Sequence, residues 1–510
     1  MNNRFPTAIT LTYPTLLALF PVLALRNNNL QYTDLATILR AALLVTLATL
    51  LIQAAAFLLF RHIEKAALIS SILVISFLTY GHVYAFFNTF TSTPIRHSYL
   101  VGGYTLLLAG ILGLILRREE RVGGASSFLA VTSIVLLSMA MFTTLRYDLR
   151  QFQAAAAAAK NSASENPGQA GEELPDVYFI LLDAHGRSDV LRGIFGYDNS
   201  QFVNELQKMG FYVAECAQSN YASTKLSLSS AMYASYIDEI IGEGQGVLPP
   251  LETSLLNQAL KARGYTTITF ENRARGHFNL NEDVRLARNQ LLLGEFDLRG
   301  GINEFEEVMI DSTFLRFLLD TELIPGFDRD TLKDWENREH FAQTNYILSK
   351  LEELPFLPGR KFVFAHIMVP HSPFIFSPDG VYQPTSDPIQ GYANNTAFID
   401  GRLPSVLATI LEKSDPSPVI IIIGDHGPAP DGKTITREAR MEILAAFFVS
   451  DKAKSELYPN VTPINAIRII YNEYFGGALP LLEDHSYYAY QLDQVSDAEE
   501  YANNCSPASE

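Results

Sequence analysis

Three short apolar runs in this 510-residue chain end on residues that can hold a cation or move a proton. Val177–Leu182 is followed by Asp183, residues 361–365 run into His366 and then His371, and Val419–Gly424 is followed by Asp425 and His426. Two carboxylates and an imidazole, Asp183, Asp425 and His426, make a ligand set for one divalent ion: zinc or manganese first, magnesium as the third option. A fourth ligand is missing from that set. Between the first and second runs, residues 219–230 are a polar loop turning into a helix, with Thr224 near the helix start. Free N–H groups at a helix start favour an anionic hydroxyl, and coordination to a metal lowers its pKa much further, so Thr224 is a reasonable alkoxide nucleophile. The plain alternative is that Thr224 or Ser223 only caps the helix, as most Ser and Thr at such places do.

The elements that position these residues follow from the runs themselves. Each is too short for a helix and too continuously apolar for a surface strand, which predicts central strands of a covered parallel sheet. Ligands bind beyond the carboxyl ends of such strands, so distant parts of the chain meet at one edge. From about residue 173 strand-like runs alternate with amphipathic helical stretches, the pattern of an α/β domain. We place that domain at 173–490, with a tail at 491–510. Two further groups are weaker candidates for substrate contacts: Arg273, in the basic stretch 272–277, and Asn395, in a helix start at 392–396. A solvated loop is the commoner reading of the first, and a capped helix start the simpler account of the second.

Residues 1–150 read as a membrane domain. Five apolar runs, 8–25, 41–60, 66–87, 99–116 and 125–145, contain no Asp, Glu, Lys or Arg and are long enough, or nearly so, to cross a bilayer. Five such runs in succession leave no polar face for water, which excludes buried helices of a soluble protein. Within them His82, Pro14 and Pro21 are read as a His packed between helices and prolines tolerated near a helix end. Basic residues concentrate after the second run, at Arg61 and Lys65, and after the fourth, at Arg117, Arg118 and Arg121. Those loops and Arg4 belong in the cytoplasm, and five crossings then put everything after residue 145 outside. Residues 151–172 form a linker, and a protease cut in the tether 161–174 is expected to free the domain.

Charge divides the chain at the same place. Residues 1–150 carry 11 Lys and Arg against 5 Asp and Glu and the remainder 27 against 50, so +6 faces −23 within the total of −17. The acidic half argues against a nucleic-acid surface, which needs clustered Lys and Arg. The two cysteines, Cys216 and Cys505, have neither zinc-site spacing nor the density of a disulfide scaffold. Their pairing stays open at this point.

The order of the motifs carries more than any one of them. Pro-Asp-Val-Tyr-Phe-Ile-Leu-Leu-Asp183, Ser-Asn-Tyr-Ala-Ser-Thr224, His366-Ile-Met-Val-Pro-His371-Ser-Pro-Phe and Ile-Ile-Gly-Asp425-His426-Gly together resemble the sulfatase-like branch of the alkaline-phosphatase superfamily. Within it the chain is most similar to lipoteichoic acid synthases and phosphoethanolamine transferases, which also join five membrane helices to an external catalytic domain. The resemblance implies that Asp183, Thr224, Asp425 and His426 ligate the metal and that Thr224 is the nucleophile. It gives His371 a role in binding the substrate phosphate or assisting the leaving group. His366 either supports the ligands or is a packed core histidine. Where those transferases usually have Glu as the first acidic ligand, this chain has Asp183.

No Cys-x-Pro-x-Arg occurs, so the formylglycine nucleophile of true sulfatases cannot be made, and no Asp-x-x-x-His pair marks a second metal. The implied activity is transfer of a phospholipid headgroup to an extracytoplasmic glycan or polymer through a phospho-threonine, on the outer side of the cell (inner) membrane. Its rivals are a membrane-tethered hydrolase, in which water takes the second step, and a catalytically silent membrane scaffold.

Overall fold

In the structure, a computed structural model, the apolar runs form α1 (Thr7–Asn27), α2 (Leu35–Phe60), α3 (Ile63–Phe90), α4 (His97–Arg117) and α5 (Glu119–Ala163). All five are long and apolar enough to cross a membrane. The residues described are 7–30, 33, 35–90, 95–117, 119–163, 174–241, 247–271, 280–288, 292–293, 296–297, 302–326 and 328–505. The end of α1 lies beside α5: Arg26 Nη2 donates to Asp148 Oδ1 at 3.0 Å, Asn27 Nδ2 to the Ala140 carbonyl at 2.9 Å, and Thr144 Oγ1 to Asn27 Oδ1 at 2.9 Å. Five alternating crossings place those two ends on one side. His82 is not packed between helices as expected from its sequence context. It lies exposed on α3, on a face that the neighbouring helices leave uncovered.

The chain divides into two compact units whose boundary is not the single cut drawn from sequence. Residues 1–149, 273–277 and 289–336 form the first and 150–272, 278–288 and 337–510 the second. A stretch from inside the 173–490 region thus groups with the apolar helices. It includes two helices, Glu304–Ser312 and Leu315–Thr321.

The second unit is built on a seven-stranded sheet. Its strands are β1 (Val177–Leu182), β2 (Tyr212–Val213), β3 (Thr266–Phe270), β4 (Val284–Leu286), β5 (Lys361–Ile367), β6 (Val419–Gly424) and β7 (Ala445–Phe448), in the order β2-β7-β6-β1-β5-β3-β4. From β6 to β4 the strands pair in parallel, and β7 and β2 close the other edge antiparallel. Side chains alternate between two covered faces. Phe179, Leu181, Phe364, Ile421 and Ile423 pack with Leu228 and Met232 of the helix Thr224–Tyr233 and Ile467 and Ile470 of the helix Pro463–Phe475. Tyr178, Ile180, Leu182, Ile420 and Ile422 meet Ile399, Leu403 and Leu407 of the helix Pro388–Lys413. Each fully buried Ile or Leu here contributes about 1.5–3 kcal/mol. That rigid layer is what fixes the strand ends.

Candidate metal and nucleophile site

Register brings the candidate residues together. Leu182 of β1 pairs with Gly424 of β6 and Ile367 of β5, so Asp183 and Asp425 emerge side by side with His366 one residue back. Gly424 is required there, because a Cβ would sit 2.4 Å from the carbonyl oxygen of His185. The chain leaves β1 through Ala184, whose φ of 65° is a left-handed conformation that costs a non-glycine residue about 1–3 kcal/mol. In return the Ala184 N–H donates to Asp425 Oδ1 at 2.9 Å.

Asp183, Asp425 and His426 are buried, and one ligand atom from each lies within 4.8 Å of the others. His426 Nδ1–H donates to the Gly427 carbonyl at 2.9 Å, which leaves the Nε2 lone pair facing Asp425 Oδ2 at 3.2 Å and Asp183 Oδ1 at 3.9 Å. Neither of those carboxylate oxygens has a hydrogen-bond donor. Burial, with the nearby Arg440 cation, pushes the His426 imidazole down to about 4, so near neutral pH its Nε2 carries no proton. Two buried carboxylate oxygens without a donor, converging with an imidazole lone pair, are a costly arrangement unless a cation joins them. The residues therefore fit a divalent ion. For Asp183, burial raises the carboxyl pKa, but the charge of His371 and the hydrogen bond and charge of His366 outweigh it and hold the group well below the ordinary range.

Thr224 lies beside this group. It is the first residue of its helix, with Oγ1 3.3 Å from His426 Nε2. Ser223 stands at the N-cap but makes no capping hydrogen bond, and its Oγ is buried without a partner. Neither hydroxyl is spent on capping. Lys225 follows in the same turn, its ammonium pushed down to about 8 by burial.

The remaining candidates separate. His366 Nε2 donates to Asp183 Oδ2 at 2.9 Å, which makes it a support for that carboxylate and not an isolated core histidine. His371 is half-exposed: its backbone N–H donates to the Asp183 carbonyl at 3.0 Å and its Nδ1 to the Ser372 carbonyl at 2.6 Å. Asn395 is fully buried and braces the same loop, with Oδ1 accepting from the Ile375 and Phe376 N–H groups at 3.2 and 3.1 Å. Its Nδ2 lies 3.3 Å from the His371 carbonyl, so its amide is occupied by backbone. Arg273 lies outside the described residues.

Sequence reasoning missed two residues. Arg440, buried, donates Nε to the Ala222 carbonyl at 2.9 Å and Nη1 to the Gly427 carbonyl at 3.3 Å. One guanidinium thus ties the segment before Thr224 to the carbonyl that orients His426. His185, also buried, places Nε2 2.8 Å from Asp400 Oδ1 and Nδ1 3.0 Å from the Gly186 carbonyl, securing the turn after Asp183. No motif spacing announces either. Cys216 is joined to Cys505 in a disulfide, with Cα atoms 5.5 Å apart, which removes it from thiol chemistry.

Comparison with known protein families matches residues 175–459, more than half of the chain, to the family described as Sulfatase. No curated protein sequence matches. Solved structures similar to this chain include the C-terminal periplasmic domain of EcEptC from Escherichia coli in complex with zinc, at 13% identity over 60% of this chain and 83% of that one, TM-score 0.39. The lipooligosaccharide phosphoethanolamine transferase A (EptA) from Neisseria meningitidis gives 12% identity over 91% and 95%, TM-score 0.38. The lipoteichoic acid synthase LtaP from Listeria monocytogenes gives 13% over 62% and 77%, TM-score 0.35. Likeness of this depth carries no argument about substrate.

Proposed function

Because the chain belongs to the sulfatase family, we propose that it is a membrane-anchored, metal-dependent phosphotransferase that moves a phospholipid headgroup to an extracytoplasmic glycan or polymer. The observation that carries this reading is the cluster of buried acceptors at Asp183, Asp425 and His426 with the Thr224 hydroxyl beside it. The motif order supports transfer from a lipid, and the five apolar helices supply the membrane. A disulfide is at home in an oxidising compartment, which supports the outward placement drawn from loop charge.

Asp183, Thr224, Asp425 and His426 would hold the ion. When bound, it supplies Lewis acidity and lowers the pKa of the Thr224 hydroxyl. In the first step Thr224 Oγ, its hydroxyl proton already lost to solvent, bonds to the headgroup phosphorus while the bond to the diacylglycerol oxygen breaks. His371, half-exposed with Nδ1 committed to Ser372, gives that oxygen its proton from Nε2. In the second step an acceptor hydroxyl attacks the phospho-threonine, its proton passes to His371, and Thr224 Oγ leaves. Mass spectrometry of the Thr224 peptide after incubation with membrane lipids tests the scheme. A headgroup phosphate on Thr224 in the native protein and none in Thr224→Ala is expected, with turnover down about 10³-fold or more. An unmodified Thr224 in a turning-over enzyme would sink it, and release of headgroup without acceptor would select the hydrolase.

A further inference from the structure

The stretch 289–336 interrupts the second unit in sequence yet groups with the apolar helices. Its first helix, Glu304–Ser312, opens with a capping box in which the Asn303 side chain accepts from the Glu306 N–H and the Glu306 carboxylate accepts from the Asn303 N–H. The same carboxylate takes a two-pronged guanidinium from Arg40 of α2, Nε at 2.6 Å from Oε1 and Nη2 on Oε2. Asn303 Nδ2 also donates to the Thr37 carbonyl at 3.2 Å. Arg–carboxylate forks of this kind fix orientation as well as contact.

Apolar residues follow the charges inward. Phe305, 3% exposed, packs with Val22 of α1 and Ile38 and Ala41 of α2, and Met309 packs against Ala18, Val74 and Leu78. At Gly81 of α3 the backbones touch: a Cβ there would lie 2.0 Å from the Asp311 carbonyl oxygen. The Phe314 N–H then donates to the Phe77 carbonyl at 2.8 Å. On the second helix, Leu315–Thr321, Asp320 sits 3.0 Å from His97 Nε2 of α4, whose Nδ1 is 2.8 Å from the Tyr80 hydroxyl. Four of the five helices are engaged, α2 and α4 near their starts and α1 and α3 from about mid-length toward their ends. In an alternating bundle those are all on the side from which the chain leaves α5.

We infer that residues 302–326 are a second, non-covalent membrane attachment of the enzyme, with the ends of α1–α4 as their receptor. The inference rests on the five helices spanning a membrane and not on the transferase chemistry. It revises the expectation that severing the tether frees the domain, because a fragment starting after residue 163 still carries the inserted helices. Two attachments in one chain reinforce each other through effective concentration, so neither need be strong alone.

The test uses the full-length protein in native membranes, with a specific protease sequence placed within residues 164–173. After cutting and washing, the fragment that follows the cut is expected to stay with the pelleted membranes. Arg40→Glu, and separately Gly81→Leu, should raise the released fraction about tenfold or more, and Arg40→Glu combined with Glu306→Arg should restore retention. Release of the unsubstituted fragment overturns the proposal. So does equal retention in all variants, or a charge-swapped pair that releases as readily as Arg40→Glu alone.

Discussion

At Glu306 both carboxylate oxygens receive N–H groups from Arg40, and the oxygens of Asp320 face His97, Arg316 and Arg329. At Asp183 and Asp425 one oxygen apiece has no donor. The first cluster is electrostatically closed and its role is to join elements of one chain. The second is open, and each element around it is arranged to keep it open: a glycine at 424, a left-handed Ala184 and a His426 whose only proton is turned away toward Gly427. Equal numbers of carboxylates therefore mean different things according to whether their oxygens are answered.

The largest way to break that contrast is with metal. A chelator should abolish activity and a divalent cation restore it, and Asp425→Ala should weaken metal binding more than about 100-fold by removing a charged ligand. Glu306→Gln should leave metal affinity unchanged, as measured by titration calorimetry. Equal losses in the two variants would erase the distinction. The next effect is orientation: Arg440→Lys keeps a cation but cannot reach both carbonyls, so activity should fall about 10–100-fold while the protein remains folded. Full activity in that variant would remove Arg440 from the account.

The smallest effect is on stability, and its sign is the informative part. In metal-free protein Asp425→Asn removes repulsion between two unanswered carboxylates and keeps an acceptor for the Ala184 N–H, so denaturation should shift upward or not at all. Glu306→Gln removes the charged carboxylate that the Arg40 fork binds and should cost about 1–3 kcal/mol. If denaturation curves show both variants weakened alike, the open cluster is an ordinary structural one.

How far the sequence reveals this differs between the two clusters. Asp183, Asp425 and His426 are legible because a parallel sheet forces strand ends together, and a continuous apolar run identifies a central strand before its neighbours are known. His366 was ambiguous because strand position alone does not say whether a ring reaches the next carboxylate. Arg440 and His185 act on backbone carbonyls and on a carboxylate far along the chain, which no local spacing encodes. The inserted helices were read as part of the α/β domain because Phe305, Met309, Phe314 and Phe317 among Glu304, Glu306, Glu307 and Asp311 look like any amphipathic surface helix. Their receptor, not their own composition, distinguishes them.

The disulfide between Cys216 and Cys505 closes a span of 289 residues, and Cys216 stands eight residues ahead of Thr224. Asn503 Nδ2 adds a hydrogen bond to the Cys216 carbonyl at 2.7 Å. During biosynthesis this bond cannot form until residue 505 has been translated, by which time the sheet, the inserted helices and the loop bearing His371 have all been made. Fastening of the segment that leads to Thr224 is thus a late event in maturation. Cells deprived of thiol-oxidising capacity would accumulate full-length, membrane-inserted chains whose last segment is still loose, and that precursor can be trapped by alkylating its two thiols.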